Sequence, residues 1–235
     1  MRIRLITTQL SLVLIVAASG CGLHAPSRLP TTMDEQAAAT PDEVLHNLMA
    51  GNARYVAGTL SDPNVVARIQ ASTSGQYPQA VILSCLDSRV PVEQVFDQGI
   101  GDIFVGRVAG NVENVDQLGS MEFATKVAGS KLIMVLGHEA CGAVKGACDD
   151  VQMGNLTALL GKIKPAVNAV QGYAPAERNS KNLAFVNDVV EQNVRLTVAD
   201  IRSSSQVLAE MERRGEIKIV GAIYSLHTGA VTLLH

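Results

Sequence analysis

Four short runs of apolar residues lie along the chain, and each predicts a buried β-strand. The runs are mostly continuous rather than alternating, which is typical of strands that are covered on both faces of a sheet. They occupy residues 80–85, 103–108, 131–136 and 217–223. We therefore expect a central sheet whose strands lie between two layers of other elements.

Helical periodicities separate these runs and supply the covering layers. An earlier helix is predicted to begin at Thr40, where Thr40 and Glu43 form a capping box and Pro41 takes the first helical position. The later helical patterns occupy residues 92–98, 115–127, 156–170 and 182–214. Alternating strands and helices predict an α/β fold with a mostly parallel central β-sheet flanked by helices. Residues 41–235 are of ordinary size for one domain.

The charge balance narrows the class of partner. The chain carries 19 Lys+Arg against 22 Asp+Glu, a formal net charge of −3 at pH 7. Neither a basic stripe nor a basic run is present, and the pair Arg213–Arg214 is diluted by neighbouring glutamates. These features indicate a mildly acidic protein and argue against nucleic-acid binding.

The first forty residues predict export. Residues 1–20 combine a basic start with an apolar stretch and a run of small residues, which indicates a signal peptide. Because Cys21 follows directly, the segment resembles a bacterial lipoprotein signal, with Cys21 as the lipidated first residue; the alternative is ordinary cleavage nearby with Cys21 incidental. Residues 21–40 predict a flexible tether. We expect a periplasmic or cell-envelope protein that contacts the membrane through a lipid on Cys21.

Three side chains with the chemistry of zinc ligands follow the predicted strands. Cys85 ends the first apolar run, His138 follows the third, and Cys141 lies one helical turn beyond His138. In parallel sheets the carboxyl ends of the strands form the binding edge, so we expect the three to meet there. Two thiolates and one imidazole leave the fourth tetrahedral position open, which is the arrangement of catalytic rather than structural zinc.

Asp87 and Arg89 are the next candidates. If the chain stays extended past Cys85, then Cys85, Asp87 and Arg89 point to the same side. Two thiolates neutralise the zinc charge, so an aspartate held by a guanidinium would help to orient and deprotonate the attacking water. An ordinary surface ion pair is the alternative reading of Asp87 and Arg89.

The segments C-L-D-S-R at 85–89 and G-H-E-A-C-G at 137–142 resemble the signature of the β-class carbonic anhydrases. The similarity extends to the blocks at 51–56, 95–105, 107–111 and 119–124, and to a closing strand and hairpin at 220–229. The resemblance therefore covers roughly residues 41–235, far more of the chain than the two motifs.

The resemblance implies a zinc enzyme that reversibly hydrates carbon dioxide to bicarbonate and a proton. It implies one Zn²⁺ per subunit on Cys85, His138 and Cys141, with Asp87 and Arg89 as the catalytic dyad. In one subgroup of the family the matching aspartate can become a fourth zinc ligand, so Asp87 is a conditional ligand here. A homodimer or higher homo-oligomer is also implied.

Two alternatives remain open at this point. A carbonyl sulfide or carbon disulfide hydrolase would use nearly the same site. A non-catalytic zinc or thiol sensor would instead pair Cys85 with Cys141 in a disulfide when the metal is lost. Outside the motifs, Cys148 is expected to be a core residue. The remaining histidines are expected to contact solvent or make local hydrogen bonds; they are His24, His46, His227 and His235.

Overall fold

The computed structural model describes residues 29–235. The predicted signal peptide at 1–20 and the candidate lipidation site Cys21 lie outside the described residues. Within residues 29–235, no helix is both long enough and apolar enough to cross a bilayer.

A five-stranded sheet of order β2-β1-β3-β4-β5 forms the centre of the protein. The strands β1 to β4 are parallel to one another, and β5 is antiparallel to β4. Their bounds are β1 Ala80–Ser84, β2 Ile103–Arg107, β3 Leu132–His138, β4 Lys218–Tyr224 and β5 Val231–Leu234. The predicted mostly parallel sheet and its four strands are confirmed, but the edge strand β2 is only half-buried rather than covered on both faces. The closing hairpin adds the antiparallel edge.

Both faces of the sheet are covered, which explains the continuous apolar runs. Along β1 the side chains of Ala80 and Ile82 enter one buried cluster, and those of Val81 and Leu83 enter another. Every residue of β1 and β3 is buried. Since successive side chains of a strand point to opposite faces, a strand buried on both sides is mostly apolar, and the polar exceptions Ser84 and His138 lie at the ends of β1 and β3.

Helices form the two covering layers. They are α1 Met33–Ala38, α2 Pro41–Ala57, α3 Val65–Ala71, α4 Val92–Val95, α5 Val115–Glu122, α6 Gly142–Cys148, α7 Gly154–Ala169, α8 Leu183–Ser204 and α9 Gln206–Arg213. The Thr40–Glu43 capping box predicted for α2 is present. The short helix α3 had no counterpart in the predicted helical patterns.

Two predicted helices are interrupted. The pattern at 115–127 forms α5 and then a π-helical turn at Phe123–Val127. The pattern at 182–214 forms α8 and α9, which meet at the buried Ser205. The Ser205 hydroxyl accepts from the backbone N–H of Leu208 and so caps α9, which starts a new helix where periodicity alone predicts continuation.

The prediction of a flexible tether over residues 21–40 is wrong for its last third. Thr32 and Glu35 form a capping box that starts α1. The side chain of Gln36 is buried and donates to the carbonyls of Pro78 and Ala128. These bonds attach α1 to the body of the domain, so the ordered unit begins before residue 41.

Candidate metal centre

Cys85 lies immediately beyond the end of β1, at the carboxyl edge of the sheet. Its side chain is buried, and its Sγ accepts from the backbone N–H of Gly110 at 3.3 Å. Gly110 adopts a φ of +75°, and a Cβ there would come within 2.6 Å of Ile163. The carbonyl of Gly110 accepts from Asn193 of α8, so this helix holds the loop that donates to the sulfur.

His138 is the last residue of β3 and is fully buried. Its Nδ1 lies 2.9 Å from the carbonyl of Glu139, and because a carbonyl only accepts, Nδ1 carries the proton. The lone pair of the imidazole is therefore on Nε2, which is buried with no hydrogen-bond partner among the described residues. A metal-binding histidine is commonly oriented by this second-nitrogen hydrogen bond.

Cys141 is placed by a tight turn between β3 and α6. It is the residue before the first turn of α6, and its side chain is almost fully buried. The preceding Ala140 has a left-handed φ of +52°, and its backbone N–H donates to the side chain of Asn187. This anchored turn brings Cys141 back toward His138.

The structure brings the three predicted ligands together. The ligand atoms of Cys85, His138 and Cys141 lie within 4.8 Å of one another, and the two sulfur atoms are 3.8 Å apart. Two sulfurs bound at about 2.3 Å to one tetrahedral zinc ion would be separated by about 3.8 Å. The donor set, the spacing and the unpartnered Nε2 atom all fit zinc.

The two thiols also favour a cation electrostatically. The Cys141 side chain holds the pKa of the Cys85 thiol below its usual range, against the effect of burial. The adjacent Cys85 and burial raise the pKa of Cys141. One thiolate thus opposes ionisation of the other, and a bound divalent cation would stabilise both.

Cys148 lies outside this group, at the end of α6. It packs in a buried apolar cluster, and burial raises the pKa of its thiol to about 11. It is therefore a protonated core residue, as expected from the sequence.

Asp87 and Arg89 form a fork-to-fork ion pair beside the three ligands. Arg89 Nε donates to Asp87 Oδ1 at 2.9 Å and Arg89 Nη2 to Asp87 Oδ2 at 2.7 Å. The guanidinium holds the pKa of the Asp87 carboxyl well below its usual range, against a smaller effect of burial. The Asp87 side chain is 16% exposed and that of Arg89 is 57% exposed, so Arg89 approaches the carboxylate from the solvent side.

The expected extended chain after Cys85 is not observed. Val90 N–H donates to the carbonyl of Asp87, which closes a turn over residues 87–90. Asp87 and Arg89 meet because the turn folds the guanidinium back onto the carboxylate. The sequence analysis therefore predicted the proximity of Asp87 and Arg89 from the alternation of side chains along a strand, whereas the structure produces it through a turn.

Arg107 is a site residue whose role sequence reasoning missed. Its guanidinium donates to the carbonyl of Cys85 at 2.9 Å and to the carbonyl of Asp87 at 2.5 Å. Arg107 ends β2, in register with Ser84 on β1. The sequence offered only one indication of the role of Arg107, which is its position in the block at 107–111. Its contacts could not be predicted, because they depend on which strands are neighbours in the sheet.

Glu139 connects the site to the β4–β5 hairpin. Its Oε2 accepts from the hydroxyl of Ser225, the backbone N–H of Leu226 and the ring of His227. His227 is largely exposed, as expected, but its hydrogen bond to Glu139 joins residues that are distant in the sequence. The backbone carbonyl of Glu139 orients the His138 ring, and the side chain of Glu139 is itself held by the hairpin.

Comparison with known proteins identifies the family. The family model described as carbonic anhydrase matches residues 80–231. Carbonic anhydrase 2 of Mycobacterium tuberculosis is 38% identical over 187 residues, which cover 79% of this chain and 89% of the relative. A carbonic anhydrase of Mycolicibacterium smegmatis is 40% identical over the same shares of the two chains. The chain therefore belongs to the carbonic anhydrase family.

Solved structures identify the class of fold. A β-carbonic anhydrase of Aspergillus fumigatus superposes with a TM-score of 0.63 at 22% identity, over 81% of this chain and 90% of the other. A Coccomyxa β-carbonic anhydrase in complex with acetazolamide gives a TM-score of 0.60 at 22% identity, over 82% of each chain. The fold is that of the β class, and the resemblance noted in the sequence is confirmed.

Proposed function

We propose that this enzyme reversibly hydrates carbon dioxide to bicarbonate and a proton, using one Zn²⁺ held by Cys85, His138 and Cys141. Family membership supports the reaction, and the group of two thiols and one imidazole supports the metal. The observation that carries the proposal is the buried, unpartnered Nε2 of His138, whose lone pair faces the two sulfurs. A polar atom left unpaired in the interior is costly unless a ligand satisfies it.

When bound, zinc would supply a Lewis acid that lowers the pKa of a water molecule at the open position. The chain's own contribution is to orient that water and to receive its hydrogen bond. Asp87 is suited to this role because Oδ2 lies 3.8 Å from His138 Nε2, next to the point where the ligand atoms converge. Its low pKa keeps it ionised and able to accept at neutral pH.

Arg89 is proposed as the residue that positions Asp87. It binds both carboxylate oxygens, which leaves Asp87 directed toward the ligand group without joining it. The same contact opposes the conditional role of Asp87 as a fourth ligand. Arg107 supports the loop from behind by binding the carbonyls of Cys85 and Asp87.

The alternatives are less well supported. Nothing in the site favours a sulfur analogue of carbon dioxide, and the family matches favour carbon dioxide. A thiol sensor would not require the Asp87–Arg89 fork.

A homo-oligomer is also proposed. The neighbouring fold includes β-carbonic anhydrases of Sordaria macrospora that are described as tetrameric. In this chain, Val115, Phe123 and Val127 are exposed along α5 and the turn after it. Val115 and Phe123 line one cavity, and a group of exposed apolar side chains is typical of an interface. Light scattering on the purified protein should give a mass of two or more chains.

Export and lipidation of Cys21 are proposed from the leader pattern alone, because that segment lies outside the described residues. They leave the catalytic proposal unaffected.

The reaction is tested by stopped-flow measurement of carbon dioxide hydration on zinc-loaded protein, beside a carbonyl sulfide assay on the same preparation. The proposal predicts fast hydration and little sulfide release. Rapid hydrolysis of carbonyl sulfide with no hydration of carbon dioxide would show that carbon dioxide is not the substrate. Inactivity toward both substrates would favour the non-catalytic zinc or thiol sensor.

A further inference from the structure

An exposed apolar patch lies around the short helix α3, on residues that the proposed catalysis does not use. We define the apolar patch as the exposed side chains Val65, Val66 and Ile69 of α3 with those of Leu29, Leu60 and Ile100. On α3 the three side chains are one, three and four positions apart, so they share one face of the helix. Val66 is 70% exposed and Ile69 is 52% exposed.

The buried guanidinium of Arg68 connects α3 to the two backbone segments that carry Ile100 and Leu29. Its Nη1 donates to the carbonyl of Ile100 at 3.1 Å, and its Nη2 donates to the carbonyl of Leu29 at 3.4 Å. Its charge is neutralised by Asp102 at 2.8 Å. Leu60 and Arg68 line one cavity. The inward-facing arginine thus organises a surface that is apolar on the outside.

The exposed face of α3 carries no charge of its own. The one charged residue of the helix, Arg68, is buried and paired with Asp102, whereas Asp62 is exposed and lines the same cavity as Leu60. An apolar face without a charge of its own loses little hydration when it enters the boundary between lipid headgroups and acyl chains. Isolated exposed apolar residues are common, but a grouped set indicates an interaction site.

The N-terminal segment determines which partner the patch meets. Leu29 belongs to the patch, and Cys21 lies eight residues before it. Eight residues span at most about 28 Å, so a lipid on Cys21 would hold this face of the domain close to the bilayer. Tethering at such a short range strongly favours contact between the attached surfaces.

We propose that the apolar patch docks on the lipid bilayer and orients the enzyme on the membrane. The inference rests on the proposed lipidation of Cys21 and goes beyond it, because a lipid anchor alone would leave the domain free to rotate. The contact is peripheral, since α3 has seven residues and cannot span the membrane.

Docking in this orientation leaves the metal centre open to solvent. The patch lies where the parallel strands begin, because β1 and β2 start directly after its loops and Gln79 N–H bonds the carbonyl of Asp102 there. Cys85 lies at the other end of β1, about 16 Å away for five extended residues. Carbon dioxide and bicarbonate could therefore exchange on the side away from the membrane.

The chain contains no tryptophan, so a single introduced tryptophan reports on one position. Ile69→Trp places the reporter in the patch. Leu183→Trp is a matched control, because Leu183 is 51% exposed and begins α8, near Asn187 and the turn at Ala140. Lipidated protein is reconstituted into phosphatidylethanolamine–phosphatidylglycerol vesicles whose acyl chains carry bromine, which quenches nearby tryptophan. Retained circular dichroism and hydration activity show that each variant is folded.

The expected result is quenching of Ile69→Trp at least about twofold stronger than that of Leu183→Trp, and weaker quenching when Val66→Asp is added to Ile69→Trp. Equal quenching at the two positions would overturn the docking while leaving lipidation intact. A concentration-dependent blue shift of Ile69→Trp without vesicles would also overturn it, because a second copy would then cover the patch. Mass spectrometry of the mature chain checks the lipid on Cys21 separately, and its absence would refute the anchor on which the inference rests.

Discussion

The carboxylate of Asp87 lies 3.8 Å from Nε2 of His138 while Arg89 binds both of its oxygens. The aspartate is thus next to the ligand group while both of its oxygens are bound by its guanidinium partner, which is the arrangement that the proposed open site requires. The contact between Asp87 and Arg89 is therefore the feature of the centre most open to testing by mutation.

Asp87→Asn should keep the fold and the zinc and lower turnover by about 10² or more, the scale of a lost acid–base contact. The amide is nearly the same size as the carboxylate but lacks its charge. Hydration rates and zinc content are measured on the same sample. Wild-type rates across pH 7 to 9, a range about the usual zinc-water pKa, would remove Asp87 from the mechanism.

Arg89→Ala should lower turnover further than Asp87→Asn does. Without the guanidinium, the ionised carboxylate is free to occupy the fourth position and exclude water. Activity should recover in part when Asp87→Asn is added, because an amide is a poor zinc ligand. A double variant no more active than Arg89→Ala alone would contradict a switch of Asp87 between arginine and metal.

Cys141→Ala should abolish zinc binding and activity together, since it removes one of three ligands. Cys148→Ala is the matched control, because Cys148 is also buried but lies outside the ligand group. That variant should retain its zinc and differ from the wild type only in stability. Metal analysis by mass spectrometry decides the outcome, and full zinc occupancy in Cys141→Ala would show that the ligand assignment is wrong.

Arg107→Ala should weaken zinc binding about 10- to 100-fold, the range observed when groups that orient metal ligands are removed. The loss follows because the carbonyls of Cys85 and Asp87 would no longer be held. Arg195→Ala is a suitable control, since Arg195 forms an exposed ion pair with Glu191. Competition with a chelator measures both affinities, and equal affinities would limit Arg107 to a role in folding.

Cys21→Ser should move the protein from the membrane fraction to the soluble exported fraction without changing its zinc content. The shift is expected because Cys21 is the residue on which the lipoprotein-like signal places a lipid, and serine cannot carry it. Fractionation of cells that express each form provides the measurement. An unchanged distribution would refute lipidation.

The sequence predicted the strands well because their signal is local. A strand buried on both faces is apolar along most of its length, as β1 and β3 are before Ser84 and His138, so the pattern can be read without knowing which strands are neighbours. Two of the candidate ligands were found for a similar reason, because Cys85 directly follows β1 and His138 ends β3.

Features that depend on side-chain hydrogen bonds or on neighbouring strands were not predicted. The break at Ser205 rests on a hydroxyl cap, and the role of Arg107 rests on the pairing of β2 with β1. The start of α1 could have been read, because Thr32 and Glu35 repeat the Thr40–Glu43 spacing recognised for α2. The attachment of α1 through Gln36 could not be predicted, because the two carbonyls that Gln36 binds are distant from it in the sequence.

The most direct test of the central claim is a zinc titration of the metal-free protein, with the rate of carbon dioxide hydration measured at each addition. The account predicts that the rate rises in proportion to bound zinc and stops rising at one zinc per chain, and that Asp87→Asn binds the same amount of zinc with little gain in rate. A protein that binds one zinc per chain through Cys85, His138 and Cys141 and still fails to hydrate carbon dioxide would contradict it.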